Sequence, residues 1–538
     1  MPNLIPMSLA VPMLLALSAW AGLQPHMLET SAASQPARLE IATPSQTPQA
    51  THPSASQGAA RQVLVPSQGR PSFCTPAGLF SCVLHLSDQI GQAPRFSLQN
   101  SLYPKLRYPL LQVGGLDSFG DGYASARLGV PNSVPPGLYD LVVLGSVGEA
   151  VSRRSVAVVA AYKTSFRFVH LSNMNVGDLT AVVFDPHLPE EINVLAPEFV
   201  IATGDYTEWA RLLDTPRDWQ RVLDYMAQFE APVYMLCGDH DHQASFTRYV
   251  ANSLIGTIDY GKYHGLLLLD HGYHPIEEDD EQVQWVLQDL AASRDKTFTF
   301  IVTHSDELGL VRRLRQMNLA ERVFRDSRMR MIIAGGNADW DYREFSSVLS
   351  GLPGLAFIRT AQSSTASCGR TGGVSHYRVI EVNNDRISYL YPTESLDPSV
   401  QHSIPSGRIR VTSDGPNDGS REVVTANIAS GQNRPWTDCR IWLHVRKGQP
   451  EKPPAVGGGT LLRCLDLGTY WAVLVGFDLP DKGAVTVQAG PAEKLLAPPP
   501  VDLIILCRNQ LGFSPRLAGF GLTGGMMRRR RPVPARLR

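Results

Sequence analysis

The sequence predicts an α/β domain set between two all-β modules, and three observations point there. Between residues 166 and 334, five short apolar runs each end in a polar segment. Stretches with helical apolar spacing alternate with those runs. On either side, residues 71–161 and 395–488 carry short apolar runs broken by turn residues, the texture of small β-sandwiches.

The five runs are residues 166–171, 199–203, 233–237, 298–303 and 329–334, and they read as buried strands. Their polar ends are His170-Leu171-Ser172-Asn173-Met174-Asn175, Gly204-Asp205-Tyr206-Thr207-Glu208, Gly238-Asp239-His240-Asp241, Thr303-His304-Ser305-Asp306 and Gly336-Asn337-Ala338-Asp339. Strands that end at one sheet edge deliver such groups to a common place, which is how metal sites are assembled from distant sequence. Residues 190–196, 219–229, 281–292 and 307–316 have the apolar spacing of helices. Residues 260–270 and 377–391 read as antiparallel strand pairs, the second turning at Asn383-Asn384-Asp385.

The order and spacing of these segments resemble the calcineurin-like metallophosphoesterase family, with its pattern D-x-H, G-D-x-x, G-N-H-[ED], a lone His and G-H-x-H. Gly204-Asp205 and Gly238-Asp239-His240-Asp241 carry most of the likeness, which covers about the middle two fifths of the chain. The resemblance implies an α/β sandwich, here flanked by two Ig-like β-sandwiches. Asp205, His240 and His304 match the pattern without change. Asn173, Asn175, Asp239, Asn337 and Asp339 replace family ligands, each with an oxygen donor, and Gly335-Gly336 allows a one-residue shift of the last segment.

Carried over residue by residue, the resemblance implies one ion on Asn173, Asn175, Asp205 and Asp339, and another on Asp205, Asp239, His304 and Asn337. The first set is all oxygen and suits Mg, Ca or Mn; the second keeps an imidazole and also suits Fe or Zn. Two such ions would polarise a phosphoryl group and lower the pKa of a bound water. His240 would protonate the leaving alkoxide, with Asp241 orienting its ring. Read without the family, Gly-Asp is a common turn, Asn often caps a strand end, and His240 and His304 are ordinary buried histidines. His242, His264, His271 and His274 read as structural or exposed.

The domain limits read as 1–21 signal peptide, 22–68 linker, 69–162 and 396–495 β-sandwiches, 163–395 the α/β domain and 496–538 a Pro/Gly/Arg-rich tail. Residues 7–23 are apolar and end in Ala19-Trp20-Ala21, the form of a cleavage site, so the expectation is export to the periplasm, envelope or medium. The following Ser/Ala/Pro/Thr/Gln composition cannot bury a core. Seven cysteines leave at least one unpaired in a monomer; Cys74 with Cys82 and Cys439 with Cys464 are the expected disulfides of an exported protein. A net charge of −1 excludes a broad basic nucleic-acid surface. The run Arg528 to Arg531, or the β modules, would supply any contact with the cell envelope.

Together these readings predict an exported, divalent-metal-dependent phosphoesterase acting on a phosphomonoester or phosphodiester. The alternative is a catalytically impaired relative serving as an envelope-binding or adhesion module.

Overall fold

The computed structural model describes residues 62–495, apart from 87–89, 92, 121, 178–181, 209–215, 306–307, 337–339, 342–351, 353, 366–372, 390–401 and 449–451. The expected signal peptide, most of the linker, the arginine tail, and Asn337 and Asp339 lie outside the described residues.

The centre is built on two six-stranded sheets. In chain order its strands are β1 (Ser165–Leu171), β2 (Val200–Ala202), β3 (Val233–Met235), β4 (Gly256–Tyr260), β5 (Tyr263–Leu267), β6 (Phe298–Val302), β7 (Met329–Ala334), β8 (Trp340–Asp341), β9 (Ala356–Arg359), β10 (His376–Asn383) and β11 (Arg386–Ser388). One sheet runs β3-β2-β1-β10-β11, with Ile404–Pro405 also paired to β10; the other runs β4-β5-β6-β7-β9-β8. Strands β1, β2 and β3 are mutually parallel, and so are β5, β6, β7 and β9. All five apolar runs are therefore strands with their C-terminal ends aligned within each sheet. The expectation of a single sheet edge is corrected: the ligand-bearing ends come from two facing sheets.

Both faces of these strands are buried, which explains their unbroken hydrophobicity. In β1, Phe166 and Phe168 face the inter-sheet core, while Val169 and Leu171 face the helices. The Phe168 and Phe300 rings stack across the sandwich at 5.9 Å. Helices α1 (His187–Leu195), α2 (Pro216–Met226) and α3 (Gln243–Tyr249) cover the first sheet; α4 (Asp280–Ala292), α5 (Gly309–Gln316) and α6 (Ala320–Asp326) cover the second. The hairpin expected over 260–270 lies earlier. Strand β4 pairs antiparallel with β5 around Gly261, and residues 263–267 also run parallel to β6. The turn after β10 falls at Asn384-Asp385, as expected.

Both flanks are all-β. Before the centre, a four-stranded and a five-stranded sheet enclose one core that includes Phe80, Leu84, Leu98, Tyr139 and Leu141. After it come a four-stranded and a three-stranded sheet, whose apolar side chains join the core beneath α1. A buried chain from Trp436 Nε1–H to Gln432, then Gln432 Nε2–H to Tyr377 and Tyr377 O–H to Glu191, ties this flank to the centre at 2.7–2.9 Å. On the other side Phe73 packs edge-on against Phe199 and Tyr260.

The expected disulfides are absent: Cys74, Cys82, Cys439 and Cys464 are free thiols. Cys439 lies opposite Phe477 and Cys464 opposite Val473, on the two sides of strand Tyr470–Leu479. That separation exceeds the reach of a disulfide.

Candidate functional site

At the C-terminal ends of β2 and β3 two loops cross in direct contact. A Cβ on Gly204 would stand 2.4 Å from the Gly238 nitrogen, and one on Gly238 would stand 2.3 Å from the Asp205 nitrogen. Only glycine permits that crossing, and Gly204 also has φ +86°. Asp205 follows in the left-handed region at φ +53°, as do Asn173 at +44° and Asn175 at +51°; Asp and Asn tolerate it best among side chains that carry a Cβ. The Asp205 carbonyl accepts the N–H groups of Met174 and Asn175 at 2.9 and 2.8 Å, fixing the first segment against the second.

Asp241 fastens the crossing from beneath. Its buried carboxylate accepts backbone N–H groups from Asp205, Tyr206 and Gly238 at 2.8–3.0 Å and a longer one from Thr207. Burial, then the nearby Asp205 charge, push its pKa up to about 7 against the pull of those N–H donors. The expectation that Asp241 orients His240 is corrected. The group facing the His240 ring is Glu208, with Oε1 3.3 Å from Nδ1. That hydrogen bond, working against partial burial and helped by Asp205, raises the imidazole to about 9.

Asp205, Asp239 and His304 converge from three strand ends. His304 Nε2 is 2.9 Å from Asp239 Oδ1 and 3.3 Å from Asp205 Oδ1, while Nδ1 is 2.5 Å from the Thr203 carbonyl. Because a carbonyl only accepts, Nδ1 holds the proton of the neutral ring and Nε2 presents a lone pair to two carboxylate oxygens. Such an arrangement is stable only with a cation or a second proton between the groups. Burial opposes the charged ring, yet the Asp205 and Asp239 carboxylates raise the His304 pKa well above its ordinary value. Asp205, Asp239 and His240 also offer ligand atoms within 4.8 Å of one another. The donor set fits a divalent ion, with the imidazole tautomer fixed by a backbone carbonyl as in many metal centres.

The set expected for the first ion is arranged differently. Gly336 N–H donates to Ser172 Oγ at 2.9 Å, Ser172 O–H donates to Asn173 Oδ1 at 2.5 Å, and Asn173 Nδ2–H donates to Asp205 Oδ2 at 3.0 Å. This chain commits the Asn173 oxygen and turns its NH₂ toward the shared carboxylate. The Asn173 amide thus lies on the Asp205 face that a first ion would share. Asn175 Oδ1, in contrast, is buried and has no hydrogen-bond partner among the described residues. Gly335 lets the last segment approach, since a Cβ there would stand 2.2 Å from Ser172 Oγ.

Two contributors escape sequence reasoning. Glu208 lies within a segment already singled out but has no fixed place in the motif. His271, at the loop after β5, is 3 % exposed with its ring 6.2 Å from that of His304. His170 is a structural residue, buried between Thr203 and Thr360 at 3.0 and 2.6 Å, where burial and Arg378 lower it to about 3. His264 is held away from the cluster by Asp259 and Asp289.

Comparison with solved structures finds a purple acid phosphatase from yellow lupin (Lupinus luteus) seeds at 11 % identity and TM-score 0.37, covering 61 % of this chain and 71 % of that one. PhoD aligns at 10 % identity and TM-score 0.38 over 70 % and 92 %. Vps29 from Chaetomium thermophilum aligns at 8 % and 0.23 over 59 % and 99 %. No curated protein sequence matches the chain. The family model described as calcineurin-like phosphoesterase matches residues 174–360, the stretch that supplies Asn175, Asp205, Asp239, His240 and His304. Over residues 174–360, the central α/β domain of this chain is similar to the calcineurin-like phosphoesterase family.

Proposed function

We propose that the protein is a divalent-metal-dependent phosphoesterase that works with one tightly held ion, on Asp205, Asp239 and His304. The observation that carries this reading is the convergence of His304 Nε2 on two carboxylate oxygens, Asp239 Oδ1 at 2.9 Å and Asp205 Oδ1 at 3.3 Å, a cluster that a divalent ion would bridge. An ion there would supply Lewis-acid polarisation of a phosphoryl oxygen and a more acidic water. The chain's own residues divide the remaining work. His240, half exposed and paired with Glu208, holds a proton where a leaving alkoxide would need it. Asp241 keeps the Asp205 and Asp239 loops in register. Asn173 compensates the Asp205 charge with a hydrogen bond. Calorimetric titration with Mn tests the reading: near-stoichiometric binding to wild type and none to Asp205→Ala is expected, and equal binding by both would overturn it.

The apolar stretch at residues 7–23 supports export, and we read the flanking sandwiches as Ig-like modules that hold the enzyme near an envelope surface. A second reading, a binding module without turnover, is favoured by one observation: the Asn173 amide occupies the Asp205 face that a two-ion centre would use. Absence of hydrolysis of every aryl phosphate with Mn, Mg, Fe and Zn would select it.

A further inference from the structure

We infer that His271 is a substrate-binding residue whose Nε2–H donates a hydrogen bond to a phosphoryl oxygen; the inference rests on the phosphoesterase reading. The ring is buried, and the backbone N–H of Tyr273 donates to its Nδ1 at 3.3 Å. An Nδ1 that accepts carries no proton, so the neutral ring holds its proton on Nε2. That nitrogen is buried and has no hydrogen-bond partner among the described residues. A buried donor left without a partner costs about 1–3 kcal/mol, which a native fold seldom retains without use.

The position of the ring says what the partner would be. His271 lines a cleft of about 410 Å³ together with Asp239, Asp241, His242, Tyr273 and His274. The cleft thus shares Asp239 with the candidate ion site, and the His271 ring stands nearly perpendicular to that of His304. Among the described residues no lysine or arginine lines it, so on this wall N–H donors such as the His271 ring are the groups available to meet oxygens of a bound phosphoryl group. A metal-ligand role is disfavoured by the same geometry, because Nε2 would have to lose its proton to Nδ1, which faces the Tyr273 N–H. Hydrogen bonds within the loop hold the ring in place. His271 and His274 exchange backbone hydrogen bonds of 3.3 and 2.9 Å, and Asp270 Oδ1 accepts the Ile276 N–H at 3.1 Å.

The test uses inorganic phosphate as the probe, titrated into the full chain preloaded with Mn. His271→Phe keeps ring volume without a donor, and His271→Gln keeps an N–H of similar reach. His271→Phe should weaken phosphate about tenfold, His271→Gln should recover most of that, and Mn affinity should be unchanged in both. Thermal melts check folding, and His271→Ala replaces the Phe variant if the latter does not fold. Unchanged phosphate affinity in a folded donorless variant overturns the inference and leaves the phosphoesterase reading standing. A parallel loss of Mn affinity also overturns it, by making His271 a metal ligand. Wild type that binds Mn but no phosphate removes the phosphoesterase reading itself, and the inference with it.

Discussion

Asn173 donates its amide hydrogen to Asp205 Oδ2 at 3.0 Å, so a neutral side chain meets the carboxylate where a charged ligand pair would need an ion between its members. Converting Asn173→Asp places two buried carboxylates at that distance. Without metal, the variant should melt several degrees below wild type, since like charges so close disfavour the folded state. With Mn it should recover, and the double variant Asn173→Asp/Asn175→His should bind a second ion and hydrolyse aryl phosphate faster than wild type. Fluorimetric melts with and without Mn, together with calorimetric stoichiometry, check this; one ion per chain in the double variant would show that the pocket has been remodelled beyond ligand identity.

The four N–H groups gathered by Asp241 make it the fastener of the Gly204 and Gly238 loops. Asp241→Ala should destabilise the protein by about 3 kcal/mol, because buried N–H donors lose their acceptor together. Urea unfolding measures this. Asp241→Asn, which keeps one acceptor oxygen, should fall between, and a variant as stable as wild type would contradict the role.

His240 and Glu208 predict a leaving-group effect. If His240 supplies the proton, His240→Ala should slow alkyl phosphates about a hundredfold or more, yet barely affect nitrophenyl phosphates, whose leaving group departs as a stable anion. Glu208→Gln, which weakens the hold on that proton, should show the same selectivity at smaller size. Equal losses on both substrates at unchanged metal content would show that His240 is not the acid; equal losses with lowered metal content would assign it to metal binding, in line with its ligand atom lying near Asp205 and Asp239.

Where hydrophobic pattern alone decides, the sequence was legible. The runs ending before Asn173, Asp205, Asp239, His304 and Asn337 are strands because both of their faces are buried, and Gly204 and Gly238 mark the crossing that only glycine allows. Helices Gln243–Tyr249 and Ala320–Asp326, and strands Ala455–Gly457 and Thr460–Asp466, left little trace, being short or largely exposed. Side-chain roles were harder to read. Which end of the Asn173 amide meets Asp205 depends on Ser172 and Gly336, the latter 164 residues away from Ser172. The partners of Asp241 are backbone groups, which no residue type announces. His271 reaches the site through a loop closed by its main-chain pairing with His274 and by the Asp270 carboxylate on the Ile276 N–H, neither of which the residue pattern announces.

A last prediction lies away from the candidate centre and concerns pH. The buried His264 ring sits between two carboxylates, with Nδ1 2.9 Å from Asp259 Oδ1 and Nε2 2.5 Å from Asp289 Oδ1. Burial alone would lower its pKa, but the two hydrogen-bonded carboxylates outweigh burial and raise it to about 9. A raised folded pKa contributes stability that is complete below the unfolded value of about 6.5 and lost as pH climbs through 9. Asp259 works in the opposite sense. Although burial opposes it, the His264 and Lys296 partners hold its pKa at about 2, so its contribution is present above about 4 and lost only in strong acid. Between pH 6 and 9.5 the His264 contribution should therefore fall by about 2 kcal/mol, after allowing for solvent around the half-exposed Asp259. His240, raised to about 9, titrates in the same interval, so the quantity to measure is the difference between wild type and His264→Gln in urea unfolding at each pH. That difference should shrink toward alkaline pH. A difference that stays flat from pH 6 to 9.5 would mean the ring is neutral throughout and merely hydrogen-bonded.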